Sequence, residues 1–306
     1  MSHDHSHSHG HTHVVSSLNK AFVVGIVLNL GFVVAEFIAG FMTNSMGLLS
    51  DAGHNLSDVA SLILAMLAFR LAKVHANKKY TYGYKKSTVL VSLLNAVILL
   101  VAVGIIIAES IEKILHPEPV EGGVIIWVAS IGVVINAFTA WLFMKDKEKD
   151  LNVKGAYLHM LADALVSVGV VISGVVILQT GWYLIDPIIG LVIACVIIYS
   201  TWGLLHDSVR LSLDGVPVGI NRDEVDRLIC SVKGVKGVHH LHIWAISTTE
   251  TALTAHVVID SELNQMETIK HEIKHLLEHK GIGHATLEFE TPEVACEQNC
   301  TQFSCG

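Results

Sequence analysis

The spacing of apolar and polar positions divides this chain in two. Six long apolar runs lie near Ala21–Met42, Met46–Leu71, Thr88–Ile111, Val124–Met144, Val153–Gln179 and Ile185–Leu205. Each reaches the roughly 20 residues a helix needs to cross the hydrocarbon of a bilayer. From Asp214 onward the runs shorten. The pattern there predicts a helix near Asn221–Val232, strands near Val238–Ile246 and Ala252–Ile259, a helix near Gln265–His279 and a strand near Ala285–Glu290. Leu241, Ile243 and Ala245 alternate with His240, His242 and Trp244, as along a strand with one face buried. The expected fold is a membrane all-α domain of six helices over residues 18–208, followed over residues 209–291 by a small α+β domain of order αββαβ. Gly215 and Pro217 mark the hinge. Residues 1–17 are expected to form a disordered His-rich tail and residues 292–306 a Cys-containing one.

Composition agrees with the membrane assignment, at 52% hydrophobic against 16% charged residues. The net charge of -8, with no dense Lys/Arg block, gives no footprint for nucleic acid and excludes that class. Charge also orients the spans. The connection from Arg70 to Lys86 holds Arg70, Lys73, Lys78, Lys79, Lys85 and Lys86, and the one after Met144 holds Lys145, Lys147, Lys149 and Lys154. The remaining connections carry almost no Lys or Arg, so the two basic loops are expected in the cytoplasm, and an even number of spans puts both termini there too. The His-rich start is unlike a cleaved secretory signal, because it is polar and the following run is too long. Five cysteines, three of them crowded at Cys296, Cys300 and Cys305, argue against a disulfide framework and fit metal–thiolate chemistry in a reducing compartment.

Within the apolar runs the ionisable groups are few and patterned. His54-Asn-Leu-Ser-Asp58 in the second span and His159-Met-Leu-Ala-Asp163 in the fifth each place a His and an Asp on one helix face, a turn apart. Each such group costs about 2.5–3.5 kcal/mol at mid-bilayer on insertion scales, so four of them demand a partner. Zn2+ takes four N or O ligands tetrahedrally, and two carboxylates with two neutral imidazoles cancel its charge. Protons discharge the same groups when the ion leaves, which makes the two occupants mutually exclusive. Asp51 shares that helix face nearer the outer end, where it either lines an exit path or caps the helix start. Glu36, Asn95 and Asn136 are read as helix packing.

With these residues in place, the chain resembles the cation diffusion facilitator family, and within it the bacterial zinc exporters, from about Leu18 to Glu290. The likeness rests on Leu49-Ser-Asp51-Ala-Gly-His54-Asn-Leu-Ser-Asp58, Tyr80-Thr-Tyr-Gly-Tyr84, Leu158-His159-Met-Leu-Ala-Asp163 and Gly237-Val-His-His240-Leu-His242-Ile-Trp244. The resemblance implies a homodimer in a bacterial inner membrane. Each six-helix protomer would exchange cytoplasmic Zn2+, and secondarily Cd2+ or Co2+, for protons by alternating access. It also implies a ferredoxin-like cytoplasmic domain whose metal site maps onto His240, His256, His284 and Glu290. Lys86 and Asp214 match a salt bridge between the start of the third span and the end of the sixth. A His2Asp2 set is similar to the zinc-selective type, and imidazole suits zinc better than magnesium or calcium.

The alternating histidines His3, His5, His7, His9, His11 and His13 have the composition of a metal-collecting segment. Cys296, Cys300 and Cys305 are candidates for accessory metal capture. Three rivals remain: a membrane-bound zinc sensor without transport, an ion channel and a metalloprotease. A four-ligand trap holds an ion too tightly for fast conduction. His271-Glu272-Ile-Lys-His275 matches the metalloprotease pattern, but Ile269, Ile273, Leu276 and Leu277 define the buried stripe of that helix and turn the histidines toward water.

Overall fold

The computed structural model describes residues 11–43, 46–116, 122–182, 184–260 and 263–291. Side chains at 11–19, 39–40, 42–43, 46–54, 57, 122–125, 170, 173, 186 and 263–265 lie outside the description. The elements are α1 (His11–Thr43), α2 (Met46–Ala72), α3 (Ser87–Leu115), α4 (Gly122–Met144), α5 (Leu151–Thr180), α6 (Ile185–Ser212), α7 (Arg222–Cys230), β1 (Val235–Ala245), β2 (Thr251–Ile259), α8 (Leu263–His279) and β3 (Ile282–Glu290). Among the described residues, α1, α3, α4, α5 and α6 contain stretches long and apolar enough to cross a membrane. The 27-residue α2 lies, up to Leu71, in the same compact unit as these helices. Large apolar side chains such as Phe41, Trp127 and Tyr199 point outward from these helices, the arrangement a lipid solvent favours.

α1 starts earlier than expected. The backbone of residues 11–17, expected to be disordered, is helical. No Gly or Pro stands between His11 and Lys20 to stop the helix from extending, and Gly10 lies just ahead of it.

α5 is the axis of the apolar unit. Asp150 caps its start by accepting from the backbone N–H of Asn152 and Val153 at 2.7 and 3.3 Å. Gly181, at φ 69°, ends it in the left-handed conformation and donates its N–H to Ile177 O. Between these caps, Val153, Ala156 and Met160 pack with Phe22, Leu62, Ala65 and Phe143, while Ala162 joins Leu99, Val103, Ala194 and Ile197. Small residues on these faces let the helices approach closely. Polar groups placed on α5 therefore fall at the meeting point of several helices.

The described residues divide into two compact units: the apolar helices up to Leu71 and from Val91 to Leu205, and a second unit joining Ala72–Leu90 to the chain from His206. The connection between α2 and α3 was expected to go with the membrane domain. It packs instead with the C-terminal unit because its polar groups find partners there. Lys86 Nζ donates to Asp214 Oδ1 at 2.6 Å, Leu211 O at 2.9 Å and Ala245 O at 3.0 Å, using all three ammonium hydrogens. Lys85 pairs with Glu250 at 2.5 Å, and Thr88 Oγ1 accepts from the N–H of Thr248.

The C-terminal unit has the expected αββαβ order. Its sheet runs β1-β2-β3, with β1 antiparallel and β3 parallel to β2. Parallel neighbours need a crossover, which α8 supplies. Val225 and Ile229 of α7 and Ile269, Ile273 and Leu277 of α8 cover one face, against Val238, Leu241, Ile243, Leu253, Ala255 and Val257. Lys280, after α8, donates to Glu224 of α7 and holds its carboxyl below the usual range. β1 contains a bulge. His239 pairs with His256 and the register resumes at His242 with Thr254, while His240 adopts φ 49°.

Candidate metal centres

Among the described residues, two clusters of at least three ligand groups could hold a divalent ion. The first is in the apolar unit, where Asp58 of α2 meets His159 and Asp163 of α5, with ligand atoms all within 4.8 Å of one another. His159 Nε2 lies 2.6 Å from Asp58 Oδ1 and 3.8 Å from Asp163 Oδ2. All three are buried, at 2%, 5% and 8% exposure for Asp58, His159 and Asp163. The separation of four residues brings His159 and Asp163 onto one face, and the packing of Leu62 and Ala65 against Ala156 and Met160 brings Asp58 to them. One imidazole nitrogen cannot share a proton equally with two carboxylates. Its close partner is Asp58, and Asp58 Oδ2 has no hydrogen-bond partner among the described residues. Such a set is unbalanced with a single proton and balanced by a divalent cation. His54 lies in α2, one turn before Asp58, but its side chain, like that of Asp51, is outside the described residues.

Beside the cluster, Asn55 Nδ2 donates to Glu36 Oε2 at 2.7 Å, both side chains being buried. This agrees with the packing role expected for Glu36. On the other side Ser61 and Asn95 border His159. Sequence reasoning gave Ser61 no place and assigned Asn95 to packing.

The second cluster differs from the expected set. His256 and Glu290 do come together, with Nδ1 2.6 Å from Oε1, but their third companion is His239, whose Nε2 is 3.2 Å from Glu290 Oε2. His240 is exposed, though its ring is 5.1 Å from that of His256, and His284 sits edge-on to Tyr82 at 5.6 Å. The bulge is the cause. Val238 and Leu241 both point into the core, so the extra residue between them turns His239 to the opposite face, beside His256. Glu288 adds a carboxylate 3.5 Å from His256 Nε2. Gly237 and two consecutive histidines are the sequence signal that pure alternation overlooked.

On α8, His271, Glu272 and His275 are exposed, as the buried stripe required. Among the described residues, Cys195 is a free thiol and Cys230 is disulfide-bonded. Cys296, Cys300 and Cys305 lie outside the described residues.

Comparison with known proteins agrees with both halves. Residues 22–211 match the family model described as cation efflux transmembrane domain, and residues 217–291 match the one described as cation efflux protein, cytoplasmic domain. A cadmium, cobalt and zinc/H(+)-K(+) antiporter of Bacillus subtilis is 37% identical over 276 residues, covering 89% of each chain. Zinc transporter ZitB of Escherichia coli is 36% identical over 85% of this chain and 83% of its own. Cation efflux system protein CzcD of an Alcaligenes species is 35% identical over 97% and 91%.

Proposed function

The chain belongs to the cation efflux family, and from that premise we propose that it is a secondary transporter exporting Zn2+ from the cytoplasm in exchange for protons, with Cd2+ and Co2+ as further substrates. It is a multi-pass integral membrane protein. The observation that carries the reading is the buried junction of Asp58, His159 and Asp163 between α2 and α5. His54 completes it as a fourth ligand. Loaded with Zn2+, two carboxylates and two neutral imidazoles sum to zero charge in hydrocarbon. Emptied, they are discharged by protons, so protons and metal compete and one gradient drives the other. The names of the relatives, which pair metals with protons, support this exchange.

Direction follows from topology. The connection Ala72–Leu90 and the chain beyond His206 form one unit, and the four helices α3–α6 intervene, an even number of crossings. The Lys-rich loop and the C-terminal domain therefore share a side, which the positive-inside rule makes the cytoplasm of a bacterial inner membrane, with both termini there. The match to the cytoplasmic-domain model supports a homodimer. The three ammonium bonds of Lys86 hold the start of α3 to that domain. In cells stripped of their own zinc exporters, this chain is expected to lower cell zinc and permit growth at zinc concentrations that otherwise inhibit. With Asp58→Ala, growth should match the empty vector. Full protection by Asp58→Ala would remove Asp58 from the transport site.

The cluster of His239, His256 and Glu290 is assigned as a second Zn2+ site that regulates or stabilises the C-terminal domain. Metal content after dialysis separates it from the set expected on sequence. His239→Ala should lower bound zinc by about one ion per chain, while His240→Ala should leave the content unchanged. The opposite result would restore His240 to the site.

A further inference from the structure

Helix α8 carries three histidines that neither metal cluster uses. His271, His275 and His279 follow one another at intervals of four, so they stack along one face about a turn apart. All three are exposed, because Ile269, Ile273 and Leu277 form the buried stripe on the other side of the helix, at 4%, 0% and 0% exposure. That stripe packs on the sheet face away from His239, His256 and Glu290, so the three histidines form a group of their own.

Two of the rings meet. The centroids of His275 and His279 are 4.6 Å apart, with the ring planes at 83°. An imidazole nitrogen binds Zn2+ at about 2.0–2.1 Å, so two rings that serve one ion must come this close. Histidines four apart on one helix face are also the pair by which the metalloprotease pattern holds its metal. His271 and His275 match that pattern in sequence, but the spacing recurs one turn later, and there the rings are together. Exposed carboxylates at Glu272 and Glu278 flank the pair and favour a cation. Of the neighbouring lysines, Lys270 and Lys280 donate to Glu267 and Glu224, and Lys274 stands about 100° round the helix from His275.

We propose that the outer face of α8 is a third metal site, a two-histidine chelate of His275 and His279 for late divalent transition ions. Imidazole donors suit Zn2+, Ni2+ and Cu2+, with Cu2+ held tightest in the Irving–Williams order. Two protein ligands leave the remaining positions to water. An ion there exchanges readily and is open to capture by another donor, unlike one enclosed by Asp58, His159 and Asp163. The chelate does not depend on the transport site, which lies in the other compact unit.

The test is histidine modification by diethyl pyrocarbonate in the purified full-length protein, read residue by residue by peptide mass spectrometry, with and without Ni2+ in excess over all histidine sites. Free Ni2+ at about ten times its dissociation constant is expected to slow modification of His275 and His279 about tenfold. In His275→Ala the remaining His279 should lose that protection, because one imidazole lacks the effective concentration that a chelate supplies. In His271→Ala both rings should stay protected. These positions are exposed, where substitution scarcely affects folding. Equal protection of His279 in the parent and in His275→Ala overturns the chelate, as does an unprotected pair in the parent or protection that vanishes in His271→Ala.

Discussion

Replacing His159 with alanine is expected to abolish zinc movement and to lower the thermal stability of the protein in detergent, and adding Asp58→Asn is expected to restore the stability alone. The reason is the arrangement around Asp58. His159 Nε2 is the group 2.6 Å from its Oδ1, and the carboxylate is 2% exposed. Deleting one member of a buried pair costs about 3–5 kcal/mol, because the survivor keeps its desolvation without its partner. Converting that survivor to a neutral amide removes most of the penalty. Stability followed by circular dichroism on heating should therefore drop and recover across the series, while transport stays lost in both variants. A set of residues serving only to join helices α2 and α5 predicts the reverse for function, with the stabilised double variant still transporting.

Asp163→Asn should have the second largest effect, and for a different reason. The amide nearly reproduces the carboxylate in shape, so folding should change little. Charge does not survive the exchange. With one carboxylate left, a site holding Zn2+ carries a net positive charge in a position only 8% exposed. Losing one member of a buried charge pair weakens binding by about 2–5 kcal/mol, or roughly 30-fold to several thousand-fold. Equilibrium zinc titration of the detergent-solubilised protein should report that loss. An affinity equal to the parent's would mean that Asp163 is not a ligand.

Much of this architecture was legible in the sequence because lipid imposes strict rules. A run such as Ser87–Leu115 has few alternatives to a spanning helix, and a His and an Asp four apart within Leu151–Thr180 have no apolar reason to be there. The αββαβ order was readable because Leu241, Ile243 and Ala245 keep strict period two. The failures share one cause, dependence on tertiary placement. His239 enters the cytoplasmic-domain cluster through a one-residue bulge at His240, which shifts every side-chain direction before it and which alternation cannot reveal. Ser61 and Asn95 are ordinary polar residues until the helices bring them to the wall of a cavity. The loop around Lys86 joined the C-terminal unit because three acceptors wait there, drawn from Leu211, Asp214 and Ala245, none of them near it in sequence. The helical start at His11 went unseen because the polar stretch 11–17 carries too little apolar periodicity to reveal a helix.

The most direct measurement is zinc flux in proteoliposomes holding the purified protein, loaded with zinc reporter at acid internal pH and diluted into neutral buffer with zinc. Zinc accumulation with simultaneous internal alkalinisation is expected; Asp163→Asn should abolish both, and collapsing the gradient beforehand with a protonophore should abolish the accumulation. Zinc accumulation that proceeds equally with and without the pH gradient, or that persists in Asp163→Asn, would contradict it.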